Sequence, residues 1–195
     1  MIASLNLPLT LTLIRLVLSP ILLPIFLTLY LPANNLLINC MLAVFFLLFA
    51  LTDLLDGLLA RRFKQVTNVG KMLDPIADKF MVYSTLITLV YVQKLYFYWA
   101  IIIIGREFFV MALREIALFY RFTVPVAWIG KIKTAFQMIF ITWIIINPAQ
   151  NLSWEAPLWN GIELILLAFT LVFTIASAVW YYHDFIIKFK QIKER

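Results

Sequence analysis

Residues 35–61 read NLLINCMLAVFFLLFALTDLLDGLLAR. No residue from Leu36 to Thr52 is charged, and Asp53 and Asp56 then close the run. About 20 mostly apolar residues suffice for a helix to cross the hydrocarbon core of a bilayer. The stretch therefore reads as a membrane span over residues 35–59 whose far end carries carboxylates. Working outward, comparable apolar runs cover residues 10–30, 73–92, 96–118, 126–147 and 159–187. Six spans take up roughly 120 residues, which leaves only connections. The expectation is an all-α integral membrane protein, a six-transmembrane-helix bundle forming one domain over residues 1–195, with Met1 to Pro8 as a short interfacial helix. The first run is long and has no basic segment before it, so it is not expected to be a cleaved signal peptide.

Composition agrees with this reading. The chain is 64% hydrophobic and 13% charged, whereas soluble domains average about 45–50% and 25%. That excludes an ordinary soluble enzyme and a disordered chain. A single cysteine, Cys40, and a single histidine, His183, exclude an internal disulfide and a Cys/His zinc site. The net charge of +6 reads as topology and as attraction to anionic lipid or phosphorylated substrates, not to nucleic acid.

Charge placement sets the orientation. Of sixteen Lys and Arg, Arg15 lies near the start, five fall between Arg61 and Lys79, five between Arg106 and Lys133, and four from Lys188 to Arg195. Lys94 alone falls on the other side, and Asn147 to Asn160 has no Lys or Arg. By the positive-inside rule, both termini and the loops after spans two and four face the cytoplasm.

Four of the ten acidic residues, Asp53, Asp56, Asp74 and Asp78, crowd into twenty-six positions near that face. Carboxylates close to hydrocarbon cost several kcal/mol each unless paired or facing a polar cavity. The spacings i, i+3 and i, i+4 project each pair from one helix face. The short connection Arg62 to Val69 makes the two helices antiparallel neighbours, so all four acids share a pocket. At separations of ~4–5 Å, like charges repel by roughly 3–4 kcal/mol even at an effective dielectric of 20. Either protons or cations must relieve this. All-oxygen ligation selects hard ions such as Mg²⁺ or Mn²⁺, and two such ions would clamp a phosphoryl group. Individual acids also have plainer readings. Asp74 before Pro75 suits a helix N-cap, and Asp53 or Asp56 suits a pair with Arg61 or Arg62 across a turn. Neither covers all four.

Around the acids stand Gly57 and Ala60, small enough for a ligand to approach the backbone, Arg61, a planar donor suited to phosphate, and Gly70, which also suits a plain turn. The eight positions Asp53, Asp56, Gly57, Ala60, Arg61, Gly70, Asp74 and Asp78 resemble the signature of the CDP-alcohol phosphatidyltransferase family. The resemblance implies a six-helix membrane enzyme, usually a homodimer, that moves a phosphatidyl group from a CDP-linked lipid to an alcohol and releases CMP. It implies that Asp53, Asp56, Asp74 and Asp78 ligate two divalent cations, Mg²⁺ or Mn²⁺, and that Asp78 is also the base for the acceptor hydroxyl. Gly57, Ala60, Arg61 and Gly70 are then contacts to the cytidine diphosphate of CDP-diacylglycerol.

The acceptor is read from the later helices. Arg106 and Arg114 are eight apart, near one face of a helix after two turns, and each precedes a glutamate. Gly130-Lys131-Ile132-Lys133-Thr134 opens span five on the same cytoplasmic side. Arg106, Arg114, Lys131 and Lys133 are candidate substrate contacts, a set of donors suited to a phosphate. The alternative reading as topology determinants and headgroup contacts suits Arg121 and the C-terminal Lys188, Lys190, Lys193 and Arg195, and fits Arg106 and Arg114 less well, since they sit among Phe108, Phe109, Val110, Met111 and Leu113. Together with Asn6-Leu-Pro8, Thr12 and Arg15, Leu73 to Lys79, and Trp128 to Gln137, they resemble bacterial members of the family that use sn-glycerol 3-phosphate, in the cytoplasmic (inner) membrane. Span six contributes only hydrophobicity to this resemblance. Arg15 either faces the bundle interior or snorkels to the interface. A cardiolipin synthase or another acceptor within the family is the first alternative, and a cation channel or transporter lined by the acids is the second. His183 and Asp184 read as an interfacial pair. Tyr96, Tyr98, Trp99, Trp154, Trp159, Trp180, Tyr181 and Tyr182 read as an aromatic belt, and Cys40 as core.

Overall fold

A computed structural model describes residues 7–62, 68–125, 128–148 and 157–193, giving the backbone alone for 7–16, 52–62, 68–78, 157 and 193. The described chain folds into six helices: α1 (Leu7–Tyr30), α2 (Leu36–Arg62), α3 (Asn68–Tyr91), α4 (Phe97–Phe119), α5 (Trp128–Ile146) and α6 (Pro157–Lys193). There is no strand among the described residues. Each of the six apolar runs is one helix, with ends a few residues from those expected. The larger differences are at α3, which starts at Asn68 instead of near 73, and at α6, which continues to Lys193 instead of 187. Polar residues at these ends do not stop a helix whose backbone bonds are already internal.

The early start of α3 places Asp74 and Pro75 inside the helix, so Asp74 is not an N-cap. Leu7 and Pro8 form the first turn of α1, and the rest of the expected interfacial helix, Met1 to Asn6, lies outside the described residues.

The chain divides into two compact units. The first comprises Met1–Leu95 and Ile145–Asn151. In it α1 packs along α3 and also against α2, burying Leu23, Leu27, Phe46, Leu86 and Leu89. Between α1 and α2, Leu31–Ala33 make one 3-10 turn, ended by Asn34 at φ 54°. Asn35 Oδ1 then accepts from the Leu37 N–H at 2.9 Å, capping the start of α2. After α3, Gln93 adopts φ 59°, and the N–H groups of Lys94 and Leu95 both return to Leu89 O, at 2.8 and 3.1 Å.

This turn carries the Lys94 side chain inward to 4% exposure. Its ammonium donates to Asn147 O, and the Asn39 amide donates to Ile146 O at 3.4 Å. The terminal carbonyls of α5 have no partner of their own and form the negative end of the helix. The lone basic residue between α3 and α4 thus serves as a helix cap.

The second unit comprises Tyr96–Ile144 and Leu152–Arg195. Here α4 packs on α6 around Val110, Leu113, Ala117, Val124, Tyr181 and Phe185. On α5, the Phe136 ring stacks on Phe169 and Phe173 of α6 at 5.4 and 5.0 Å.

Solvent preference is inverted along α6. Asn160, Glu163, Thr170, Thr174 and Ser177 are buried, while Leu164, Ile165, Val172, Ile175 and Val179 are each more than half exposed. Such a surface suits hydrocarbon. Among the described residues, α5 and α6 are the helices long and apolar enough to cross a membrane.

Replacing Lys94 by alanine strands a helix-terminal carbonyl. The expected cost is about 1–3 kcal/mol, read as a lower melting temperature of the detergent-solubilised protein. An unchanged melting temperature would show that Lys94 does not cap α5.

Candidate functional site

The first group of candidate residues lies on α2 and α3. Asp53, Asp56, Gly57, Ala60 and Arg61 occupy the last three turns of α2, Gly70 is the third residue of α3, and Asp74 and Asp78 follow in the same helix. Gly70 is therefore helical and not a turn residue. Helical backbone is continuous through both pairs of acids, so Asp53 and Asp56 share one helix face, as do Asp74 and Asp78. Both helices pack against α1. The side chains of all eight residues lie outside the described set. By their chemistry alone, four carboxylates would suit hard divalent cations and not soft ones.

The second group lies within the second unit and is built from three helices. On α4, Arg106 Nη1 donates to Glu107 Oε1 at 2.7 Å, and the Lys133 ammonium of α5 donates to the same oxygen. Lys133 is 3% exposed. Two turns along α4, Arg114 Nη2 donates to the Tyr181 hydroxyl of α6 at 3.0 Å. The phenol ring of Tyr181, itself 3% exposed, lies 5.6 Å from the Arg106 guanidinium carbon and 5.0 Å from that of Arg114. Aromatic faces attract cations, more strongly where water is excluded. Gly130 sits against the same residue, since a Cβ there would lie 3.2 Å from the Tyr181 hydroxyl.

Among the described residues, three cations and one carboxylate give this cluster a formal charge of +2. Arg106 Nε and Nη2 and Arg114 Nε are shielded from solvent and have no hydrogen-bond partner among the described residues. Buried N–H groups are almost always paired, and cationic ones are costly to strand. Guanidinium groups with spare planar donors match the oxygens of a phosphate.

The structure thus brings together Arg106, Arg114 and Lys133. It does not bring Lys131 with them: that side chain is exposed, and its ammonium lies 5.5 Å from the centre of the Trp128 ring. Residues two apart on a helix point in nearly opposite directions.

The contact of Tyr181 with the two arginines was not legible in the sequence. At a span end a tyrosine reads as part of the interfacial belt, and only the small Gly130 hints at a close approach. Through Tyr181, α6 joins the cluster. Asp184 pairs not with His183 but with Lys188, at 2.8 Å one turn on, and Lys188 also donates to Thr123 O at 3.1 Å.

Comparison with known proteins places these groups in a common frame. The model of the CDP-alcohol phosphatidyltransferase family matches residues 5–176. A protein from Yersinia enterocolitica named CDP-diacylglycerol–glycerol-3-phosphate 3-phosphatidyltransferase is 38% identical over 184 residues, covering 91% of this chain and 96% of the relative. Proteins of the same name from Sodalis glossinidius and Escherichia coli K12 are 38% and 37% identical, covering 77% and 84% of this chain and 82% and 86% of their own. With one family model running through the acidic helices α2 and α3 and the basic helices α4 and α5, the chain belongs to the CDP-alcohol phosphatidyltransferase family.

Proposed function

We propose that this phosphatidyltransferase moves the phosphatidyl group of CDP-diacylglycerol to sn-glycerol 3-phosphate, giving phosphatidylglycerol phosphate and CMP. The observation that carries the choice of acceptor is the set of buried guanidinium donors on Arg106 and Arg114, beside Lys133, that have no hydrogen-bond partner among the described residues. An acceptor bearing its own phosphate supplies the missing oxygens and a charge near −2, opposite to that of the cluster. The names of the relatives support the same assignment.

Asp53, Asp56, Asp74 and Asp78 hold two divalent cations, Mg²⁺ or Mn²⁺. When bound, these ions neutralise charge on the phosphoryl oxygens and stabilise the departing CMP. Asp78 takes the proton of the acceptor hydroxyl. The hydroxyl oxygen then bonds to the lipid-side phosphorus as the bond from that phosphorus to CMP breaks. Gly57, Ala60, Arg61 and Gly70 contact the cytidine diphosphate. Arg106, Arg114 and Lys133 hold the acceptor's phosphate, and the exposed Lys131 draws the anionic substrate in.

The chain works as a six-span protein of the bacterial cytoplasmic (inner) membrane, with both termini and the active site on the cytoplasmic side. Fifteen of its sixteen Lys and Arg on alternate sides of the spans support that orientation. A family match running from residue 5 to 176 supports a single functional domain. The homodimer follows from the family resemblance alone.

A direct test gives the purified protein CDP-diacylglycerol, a divalent metal and one acceptor at a time. CMP release is expected with glycerol 3-phosphate; release with phosphatidylglycerol alone would make the protein a cardiolipin synthase. Asp78→Asn is expected to lower kcat at least ~100-fold, as loss of a general base does, with the protein still folded and binding the liponucleotide. A near-normal rate would remove Asp78 from the chemistry. Arg114→Ala and Lys133→Ala should raise KM for glycerol 3-phosphate ~10-fold or more, the loss of one charged hydrogen bond, with little change in KM for CDP-diacylglycerol. Equal effects on both substrates would place the acceptor elsewhere.

A further inference from the structure

An arginine pair on one helix face repels itself, and each guanidinium rotates freely unless something fixes its plane. In the second unit, one residue meets both. Tyr181 presents its ring to Arg106 and Arg114, at 5.6 and 5.0 Å, and its hydroxyl accepts from Arg114 Nη2 at 3.0 Å. That hydrogen bond leaves Arg114 Nε, buried and unpartnered among the described residues, for a ligand. Tyr181 is itself held by the apolar cluster of Val110, Leu113, Ala117 and Phe185 and by the close approach of Gly130. It lies beyond the segment that the family model matches, which stops at 176.

We infer that Tyr181 is a positioning residue for the acceptor: its ring and hydroxyl fix the two guanidinium groups in the orientation that receives the phosphate of the incoming alcohol. This rests on the assignment of Arg106 and Arg114 to that phosphate. Tyr181 acts through the arginines and need not touch the substrate. Gly130 is part of the same device, because a methyl group at that position reaches to 3.2 Å from the hydroxyl and displaces the phenol.

The test is steady-state kinetics of the full-length enzyme in detergent micelles, varying CDP-diacylglycerol and glycerol 3-phosphate separately. Tyr181→Leu removes both ring and hydroxyl. It is expected to raise KM for glycerol 3-phosphate ~10-fold or more, as loss of a water-excluded aromatic face beneath two cations does, with KM for CDP-diacylglycerol unchanged within about twofold. Tyr181→Phe retains the ring and should recover most of this loss. Gly130→Ala should raise KM for glycerol 3-phosphate in the wild-type background and have no further effect in the Tyr181→Phe background, where the hydroxyl it displaces is gone. Contacting residues show such non-additivity, and a residue that merely fills space does not confine its effect to one substrate. Should Tyr181→Leu fail to fold, the Tyr181→Phe and Gly130→Ala pair decides alone.

Additive effects of the pair, or equal changes in both KM values, overturn the inference. If Arg114→Ala raises KM for glycerol 3-phosphate and the Tyr181 and Gly130 variants do not, the positioning role alone is wrong. If Arg114→Ala has no such effect, the assignment of the acceptor pocket fails, and the role of Tyr181 fails with it.

Discussion

A peptide N–H or C=O placed in hydrocarbon finds no water, and leaving it unpaired costs several kcal/mol. That constraint shapes the whole chain. It makes helices the only regular structure among the described residues and turns attention to helix ends, where carbonyls run out of partners. The end of α5 shows the response: Asn39 and Lys94 are both spent on its terminal carbonyls. The same medium reverses the usual rule for side chains, so that α6 hides threonines, a serine and a glutamate while presenting isoleucine and valine outward.

Charge obeys the constraint as well. A cation buried in such a protein must meet an anion, an aromatic face or a ligand. In the cluster around Tyr181 the first two occur. Glu107 answers Arg106 and Lys133, the phenol ring answers both arginines, and the remaining guanidinium donors have no partner among the described residues. Those donors are what the proposed binding of a phosphate would use.

Much of this was legible in the sequence, for physical reasons. Runs of about twenty apolar residues locate helices because the bilayer sets their length, and the spacings of Asp53 with Asp56 and of Asp74 with Asp78 are helical spacings. Arg106 and Arg114 share a face for the same reason. What escaped were contacts between helices and helix ends outside hydrocarbon. Asn68 to Lys71 looked like loop because it is polar, yet it is the first turn of α3. Tyr181 looked interfacial because periodicity says nothing about which helix will pack against it. Lys131 and Lys133 looked equivalent until the helix turned them apart.

The basic cluster draws on α4, α5 and α6, and a ribosome delivers these in that order. A nascent chain that has released α4 and α5 therefore holds Arg106 and Arg114 without the Tyr181 ring that faces them. Insertion of α6 ends that exposure, so the docking of one apolar helix on another also settles where two buried charges can rest.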